Sequence, residues 1–411
     1  MKLITHRFAR ASLIAIGVAA AASTGAQHGR AQGQSQSQGQ NQNGQNQNGQ
    51  NQNGQNQNKY VVTNLTSDVP NVAPNTDPVL QNAWGVAFAP GGSFWISDNA
   101  NGCATLVDGT GLPSPNQFKI PLPGGTIAPG SCMNVNPQSP PQNPTPAAPT
   151  GMIWNPTTTF LVPNTKTPAL FIFDTEDGTL SAWAPGLTPP DQAVLAVDNS
   201  ANAAVYKGLA FGTNPQGQFL FAADFGRGTV DVFAPNGSSG FRPATSAEIP
   251  GSFTDPNLPP GFAPFGIQNI DGDLFVTYAL QDANKQNDVP GQGNGFVDVF
   301  DTNGNLLQRF AQEGQLNAPW GVVRASFAFG RFSGDILIGN FGDGHIDVFD
   351  SGGNFVDSLK DSSGNMILIP GLWNLGLGGG LKSNSDTIYF TAGPNDEADG
   401  LFGTITPSSG Q

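Results

Sequence analysis

The sequence is poor in the side chains on which most catalytic centres depend. Of its 411 residues three are His, two are Cys and four are Glu, and Lys and Arg together number sixteen. His6 and His28 precede the compositionally ordinary part of the chain, which leaves His345 alone to serve any His-dependent centre there. His345 stands at the entrance to a short strand, Asp343-Gly344-His345-Ile346-Asp347, where comparable segments carry Thr229 and Phe296, so it reads as a strand-start residue. Helical periodicity is almost absent. No apolar run after residue 26 is long enough to cross a bilayer, which needs about 20 residues. Basic charge is scarce as well. Four of the sixteen Lys and Arg lie before residue 59 and all thirty Asp and Glu lie after it, so the remainder carries twelve against thirty, a net −18. That field repels phosphate backbones and anionic membrane surfaces, excludes nucleic acid as a partner and favours cations.

What is present falls into four segments. Residues 1–26 place Lys2, Arg7 and Arg10 before an apolar stretch from Ala11 to Ala22 and small residues up to Ala26, the pattern of a signal peptide for a secreted or periplasmic protein. About a dozen apolar residues are too few for a membrane anchor. Residues 27–58 are almost entirely Gln, Asn and Gly and have nothing to bury, so a disordered tether is expected, with β-type self-association as the alternative for such tracts. Residues 59–407 form the folded part and 408–411 a short tail.

Across 59–407 one motif returns six times: Trp84-Gly85-Val86-Ala87-Phe88, Thr150-Gly151-Met152-Ile153-Trp154, Lys207-Gly208-Leu209-Ala210-Phe211, Phe265-Gly266-Ile267, Trp320-Gly321-Val322 and Trp373-Asn374-Leu375. Each opens a short apolar strand. A nearly continuous apolar second strand follows, such as Leu170-Phe171-Ile172-Phe173, and then in several copies a strand like Phe296-Val297-Asp298-Val299-Phe300. In that third strand Asp alternates with apolar neighbours, which predicts one less buried face. Six small sheets at this spacing predict an all-β, six-bladed β-propeller. Its inner strands converge on an axis where only Gly fits; no helix follows these glycines, so phosphate binding is not expected of them. The strand Tyr60-Val61-Val62-Thr63-Asn64-Leu65 has no blade of its own and is expected to complete the sixth, closing the ring.

The candidate site follows from this geometry. The residues that end each second strand should ring one mouth of the channel: Asp98, Asn99, Glu176, Asp177, Asp224, Asp282, Asn340, Asp343, Asp396 and Glu397. Carboxylates and amides without basic partners suit a hard cation, so calcium at Asp98, Glu176, Asp224, Asn340 and Asp396 is one expectation; the other is that Asp and Asn merely make turns. Trp84, Trp320, Trp373 and Phe265 precede the Gly column, as an aromatic lining or as blade-to-blade packing. Cys103 and Cys132 form one disulfide or stay as thiols. The Pro-rich stretch from Pro137 to Pro149 reads as a stiff surface loop.

The segments Asn82-Ala83-Trp84-Gly85-Val86-Ala87-Phe88, Ser93-Phe94-Trp95-Ile96-Ser97-Asp98-Asn99, Ala148-Pro149-Thr150-Gly151-Met152 and Thr175-Glu176-Asp177-Gly178-Thr179 resemble an uncharacterised bacterial family of secreted NHL-repeat-like propellers. The resemblance spans about Tyr60 to Pro407 and implies a fold and an export route but no settled activity. Members often end in a PEP-CTERM sorting tail; Pro407-Ser408-Ser409-Gly410-Gln411 does not match one, which favours release. More distantly the chain resembles the gluconolactonase group, calcium-dependent six-bladed propellers with a Glu near the start of a first strand. Here that approach reads Gln81-Asn82-Ala83, without Glu. The readings left are a monomeric binding or scaffolding module for a small molecule, glycan or protein, a calcium-dependent hydrolase or lactonase at the acidic mouth, and an extracellular structural component assembled through the tether.

Overall fold

The computed structural model describes residues 57–135 and 143–408. The expected signal segment, most of the tether and part of the Pro-rich stretch lie outside the described residues.

Alternating apolar strands and Gly, Asn and Asp turns build six sheets. From the axis outward, blade 1 runs Ala83–Ala87, Phe94–Asp98, Cys103–Val107 and Phe118–Lys119, and blade 2 runs Pro149–Trp154, Phe171–Thr175, Thr179–Trp183 and Val194–Asp198. Blade 3 is Tyr206–Asn214, Gly217–Asp224, Thr229–Pro235 and Phe241–Pro243, and blade 4 is Phe262–Ile270, Asp273–Leu280, Gly295–Phe300 and Leu306–Gln312. Blade 5 comprises Pro319–Arg324, Ile336–Asn340, Ile346–Phe349 and Phe355–Ser358; blade 6 has Leu372–Leu377, Ile388–Ala392 and Leu401–Pro407. Tyr60–Ser67 pairs antiparallel with Leu401–Pro407, from Tyr60 against Pro407 to Ser67 against Leu401, and so completes blade 6 with the first strand among the described residues. Each inner strand touches the next around the circle, blade 6 against blade 1 included. The fold is an all-β, six-bladed propeller with its ring closed by the N-terminal strand.

The Gly column marks the closest approach between blades. A Cβ on Gly85 would collide with the Thr150 carbonyl oxygen and one on Gly151 with the Leu209 nitrogen, while one on Gly321 would stand 2.6 Å from the Trp373 oxygen. In every blade the pairing of first and second strand shifts at this point, between Ala83 and Val86 in blade 1 and between Leu372 and Leu375 in blade 6. These bulges turn the residues near the strand ends relative to the rest of the ladder. Asn374, the copy without Gly, accepts a hydrogen bond across the channel from Gln268 Nε2 at 3.3 Å.

The second strands are buried between sheets, as their apolar runs require. The third strand of blade 3, Thr229–Pro235, has the less buried residues expected, Asp231 among them, but those of blades 4 and 5 correct the expectation. Asp298 and Asp347 are fully buried because each has a dedicated partner: Arg309 Nε donates to Asp298 at 2.6 Å, and Asn340 Nδ2 and Ser358 Oγ donate to Asp347 at 2.8 and 2.7 Å. Arg309 also forms an ion pair with Asp255 and lies over the Phe296 ring.

Candidate functional site

At the mouth where second strands end, five side chains from four blades form one hydrogen-bonded chain. Lys207, just before Gly208 in blade 3, donates through its ammonium to Glu176 Oε1, in the turn that ends the second strand of blade 2. Asn99 Nδ2 donates to Glu176 Oε2 at 3.0 Å. Asn82 Nδ2 donates to Asn99 Oδ1 at 3.2 Å and to Glu397 Oε2 at 2.9 Å, bringing in blade 6. Asn82 Oδ1 accepts the indole N–H of Trp373 at 2.9 Å. Asn82 and Glu397 both have left-handed backbone, φ +46° and +66°, which turns their side chains toward each other.

Beneath this polar layer lie aromatic rings. Trp84 stacks on Trp373 at 3.5 Å between centroids, Phe341 stacks on the same indole at 3.8 Å, and Trp320 and Phe265 close the group from blades 5 and 4. Trp320 Nε1 donates to the Lys207 carbonyl at 2.8 Å, and the Lys207 ammonium stands 5.3 Å from the Trp84 ring centroid, within cation–π range. These aromatics are buried against one another, so they floor the mouth and pack the blades together.

Electrostatically the site is unequal at its two ends. Lys207 is 3% exposed and pairs with Glu176. Glu397 has an amide donor but no cation in contact; burial, and then the charge of Glu176, push its carboxyl up from 4.5 to about 7, against the opposing pull of Lys207. Half of Glu397 is therefore protonated near neutrality.

The ten residues expected at the mouth divide into groups. Asn99, Glu176 and Glu397 meet there. Asp98 is fully buried in its blade and accepts from Thr105 Oγ1 at 3.2 Å; burial, then the charge of Asp77, raise its carboxyl well above the usual range. Asp224 accepts the Val205 N–H at 3.0 Å and Arg227 Nε at 2.8 Å, and Asn340 bonds to Asn317 and Asp347 inside blade 5. Asp177 accepts the Ala148 N–H at 2.8 Å, Asp282 the N–H groups of Asn284 and Gln286, and Asp343 the His345 N–H at 3.0 Å together with Asn317 Nδ2. Asp396 is exposed on the turn that carries Glu397. Of the five residues expected around calcium, Asp98, Asp224 and Asn340 thus face into separate blades, and among the described residues no three His, Cys, Asp or Glu are arranged to hold a metal ion. The residues as placed do not fit a calcium shell. His345 Nδ1 bonds to the Ile367 carbonyl at 2.8 Å, away from the mouth network. Cys103 and Cys132 are joined as a disulfide.

Two members of the network escaped the strand-end rule. Lys207 was visible as the one charged residue in a column otherwise made of Trp84, Thr150, Phe265, Trp320 and Trp373. Asn82 lies in Gln81-Asn82-Ala83, at the approach to the first inner strand and not at the end of a second strand.

No family model matches the chain. It is 31% identical over 351 residues to Uncharacterized protein R648 of Acanthamoeba polyphaga mimivirus, covering 84% of this chain and 79% of that protein. It is 29% identical over 348 residues to Uncharacterized protein L690 of the same virus, covering 84% and 85%. The chain belongs to the family of these mimivirus proteins. Similar solved structures include virginiamycin B lyase from Staphylococcus aureus, 13% identical with TM-score 0.44 over 85% of this chain and 99% of that one. A calcium-binding regucalcin from Agrobacterium tumefaciens is 12% identical with TM-score 0.41, over 81% and 92%. A gluconolactonase from Xanthomonas campestris is 12% identical with TM-score 0.40, over 80% and 87%. Likeness of this degree says nothing about activity or ligand.

Proposed function

We propose that the chain is an exported, monomeric propeller that works as a binding module, its mouth taking a small molecule, glycan or protein group, and residues 27–58 serving as its tether. The observation that carries this reading is the network Lys207–Glu176–Asn99–Asn82–Glu397, which gathers side chains of four blades over an aromatic floor. Its carboxylates are half-buried, so a ligand reaches oxygen acceptors held over a rigid, buried aromatic floor. Export follows from the signal-like N-terminus and the resemblance to secreted NHL-like propellers. The test uses tryptophan emission, because three of the six Trp lie in the floor. Titration with neutral oligosaccharides, dipeptides and small amines is expected to yield a compound that changes the emission and loses its effect in Lys207→Met. A panel without effect, or a response unchanged in Lys207→Met and Glu397→Gln, would contradict the reading.

A second reading, hydrolysis, is favoured by one observation: a carboxyl near neutrality shares a bonded network with a lysine-paired carboxylate. Such unequal pairs suit acid and base roles. Ester and lactone turnover with and without calcium, lost in Glu397→Gln, would support it; no turnover in either condition would remove it.

A further inference from the structure

The disulfide loop reaches the mouth through a short series of contacts. Cys132 is joined to Cys103 in the third strand of blade 1, and its N–H donates to the Asn101 carbonyl at 3.0 Å. Asn101 Nδ2 in turn donates to the Val79 carbonyl at 2.7 Å. Beyond Cys132 the loop grips the segment that leads into blade 1. Asn134 Nδ2 donates to the Pro78 carbonyl at 2.7 Å, and Gln81 makes a paired contact with Val135, its Nε2 donating to the carbonyl at 3.1 Å and its Oε1 accepting the N–H at 2.6 Å. The next residue is Asn82. Its left-handed backbone is unusual for a residue other than Gly and persists only where neighbours hold it. Its side chain is the junction at which Trp373, Asn99 and Glu397 meet.

We propose that the Cys103–Cys132 disulfide is a redox latch on the mouth: oxidation seats Gln81 and so holds Asn82 at the centre of the network, and reduction releases both. This rests on the mouth being the binding site proposed above. It goes further in stating that the site is complete only after the thiols are oxidised, which in an exported protein means after it has left a reducing cytosol.

Cys103 is fully buried while Cys132 is half-buried, so a dithiol attacks at the Cys132 sulfur. A bond forms between one reagent sulfur and Cys132 Sγ, and the Cys103–Cys132 bond breaks, releasing Cys103 as a thiolate that takes up a proton. The second reagent thiolate closes on the first reagent sulfur, releasing Cys132 in the same way. Two electrons pass to the cysteines and the dithiol becomes a cyclic disulfide.

The latch is tested on the full chain labelled with 15N, following the indole N–H signals before and after dithiothreitol and again after reoxidation. Trp373, bonded to Asn82, is expected to shift and to exchange with solvent about tenfold faster on reduction, while Trp320, bonded to the Lys207 carbonyl, stays in place. Gln81→Ala with the disulfide intact should reproduce the Trp373 change. The proposal is overturned if Trp373 keeps its signal in both the reduced protein and Gln81→Ala, or if all indoles change together, which marks general loosening. A panel compound that binds oxidised and reduced protein equally would sink the latch and leave the binding reading standing; a Trp373 response without any binding compound would do the reverse.

Discussion

Blade 4 and the mouth each set one cation against two carboxylates, and they solve the problem differently. In blade 4 the Arg309 guanidinium bonds to both Asp255 and Asp298, two carboxylates that are almost wholly buried. At the mouth Lys207 bonds to Glu176 alone, and Glu397 is left with the Asn82 amide and a carboxyl near neutrality. A planar fork serves two acceptors, whereas an ammonium on one side of a cleft is a point charge. Burial raises a carboxyl to about 7 in both places, Asp298 in the fork and Glu397 at the mouth; the difference is that Asp298 is sealed inside its blade as part of a structural clamp, whereas Glu397 is half-buried where a ligand can reach it.

Breaking the clamp should have the largest effect. Arg309→Met leaves Asp255 and Asp298 buried without their cation and is expected to cost about 3–5 kcal/mol in urea unfolding. Lys207→Met should cost less, roughly 2–3 kcal/mol, because Glu176 is partly solvated, and it should push the Glu397 carboxyl higher by removing the one opposing charge. Arg309→Lys converts the fork to a point charge and makes blade 4 resemble the mouth. About 1–2 kcal/mol of stability should be lost, measured by urea unfolding, because an ammonium cannot serve both carboxylates at once.

The finest comparison is in pH. Glu397 is raised in the folded state, so between pH 4.5 and about 7 the folded protein holds a proton that the unfolded chain has released. Its contribution to stability is therefore fully present below pH 4.5 and is lost as pH rises through about 7. Glu397→Gln removes that decline. Other raised carboxyls, Asp68 and Asp347 at about 6 and Asp174 and Asp298 at about 7, keep their own slope in both proteins. The difference between wild type and Glu397→Gln should change by roughly 3 kcal/mol over this range, and a constant difference would show that Glu397 is not perturbed.

The ring was legible because Gly85, Gly151, Gly266 and Gly321 stand where blades meet at backbone distance and leave no room for a Cβ, a demand relaxed in blade 6, where Asn374 takes the position. The closing strand was legible from the count of strands: Tyr60-Val61-Val62-Thr63-Asn64-Leu65 stands ahead of the first repeat without a blade, and the sixth repeat lacks an outer strand. The site was only half visible. Strand ends located Asn99, Glu176 and Glu397, but residue type does not reveal that the bulge beside the Gly column accompanies an Asp98 buried within its blade, or that Asn82 and Glu397 adopt left-handed backbone. Partners far apart in sequence, Arg309 with Asp255 above all, are equally invisible in a local pattern of alternation.

The most direct measurement is a carbon-detected NMR titration of the Glu397 side-chain carboxyl in the intact protein. The account predicts a midpoint near 7, moving upward in Lys207→Met. A midpoint near 4.5, unmoved by that substitution, would contradict the reading of the mouth as an unequal pair of carboxylates above an aromatic floor.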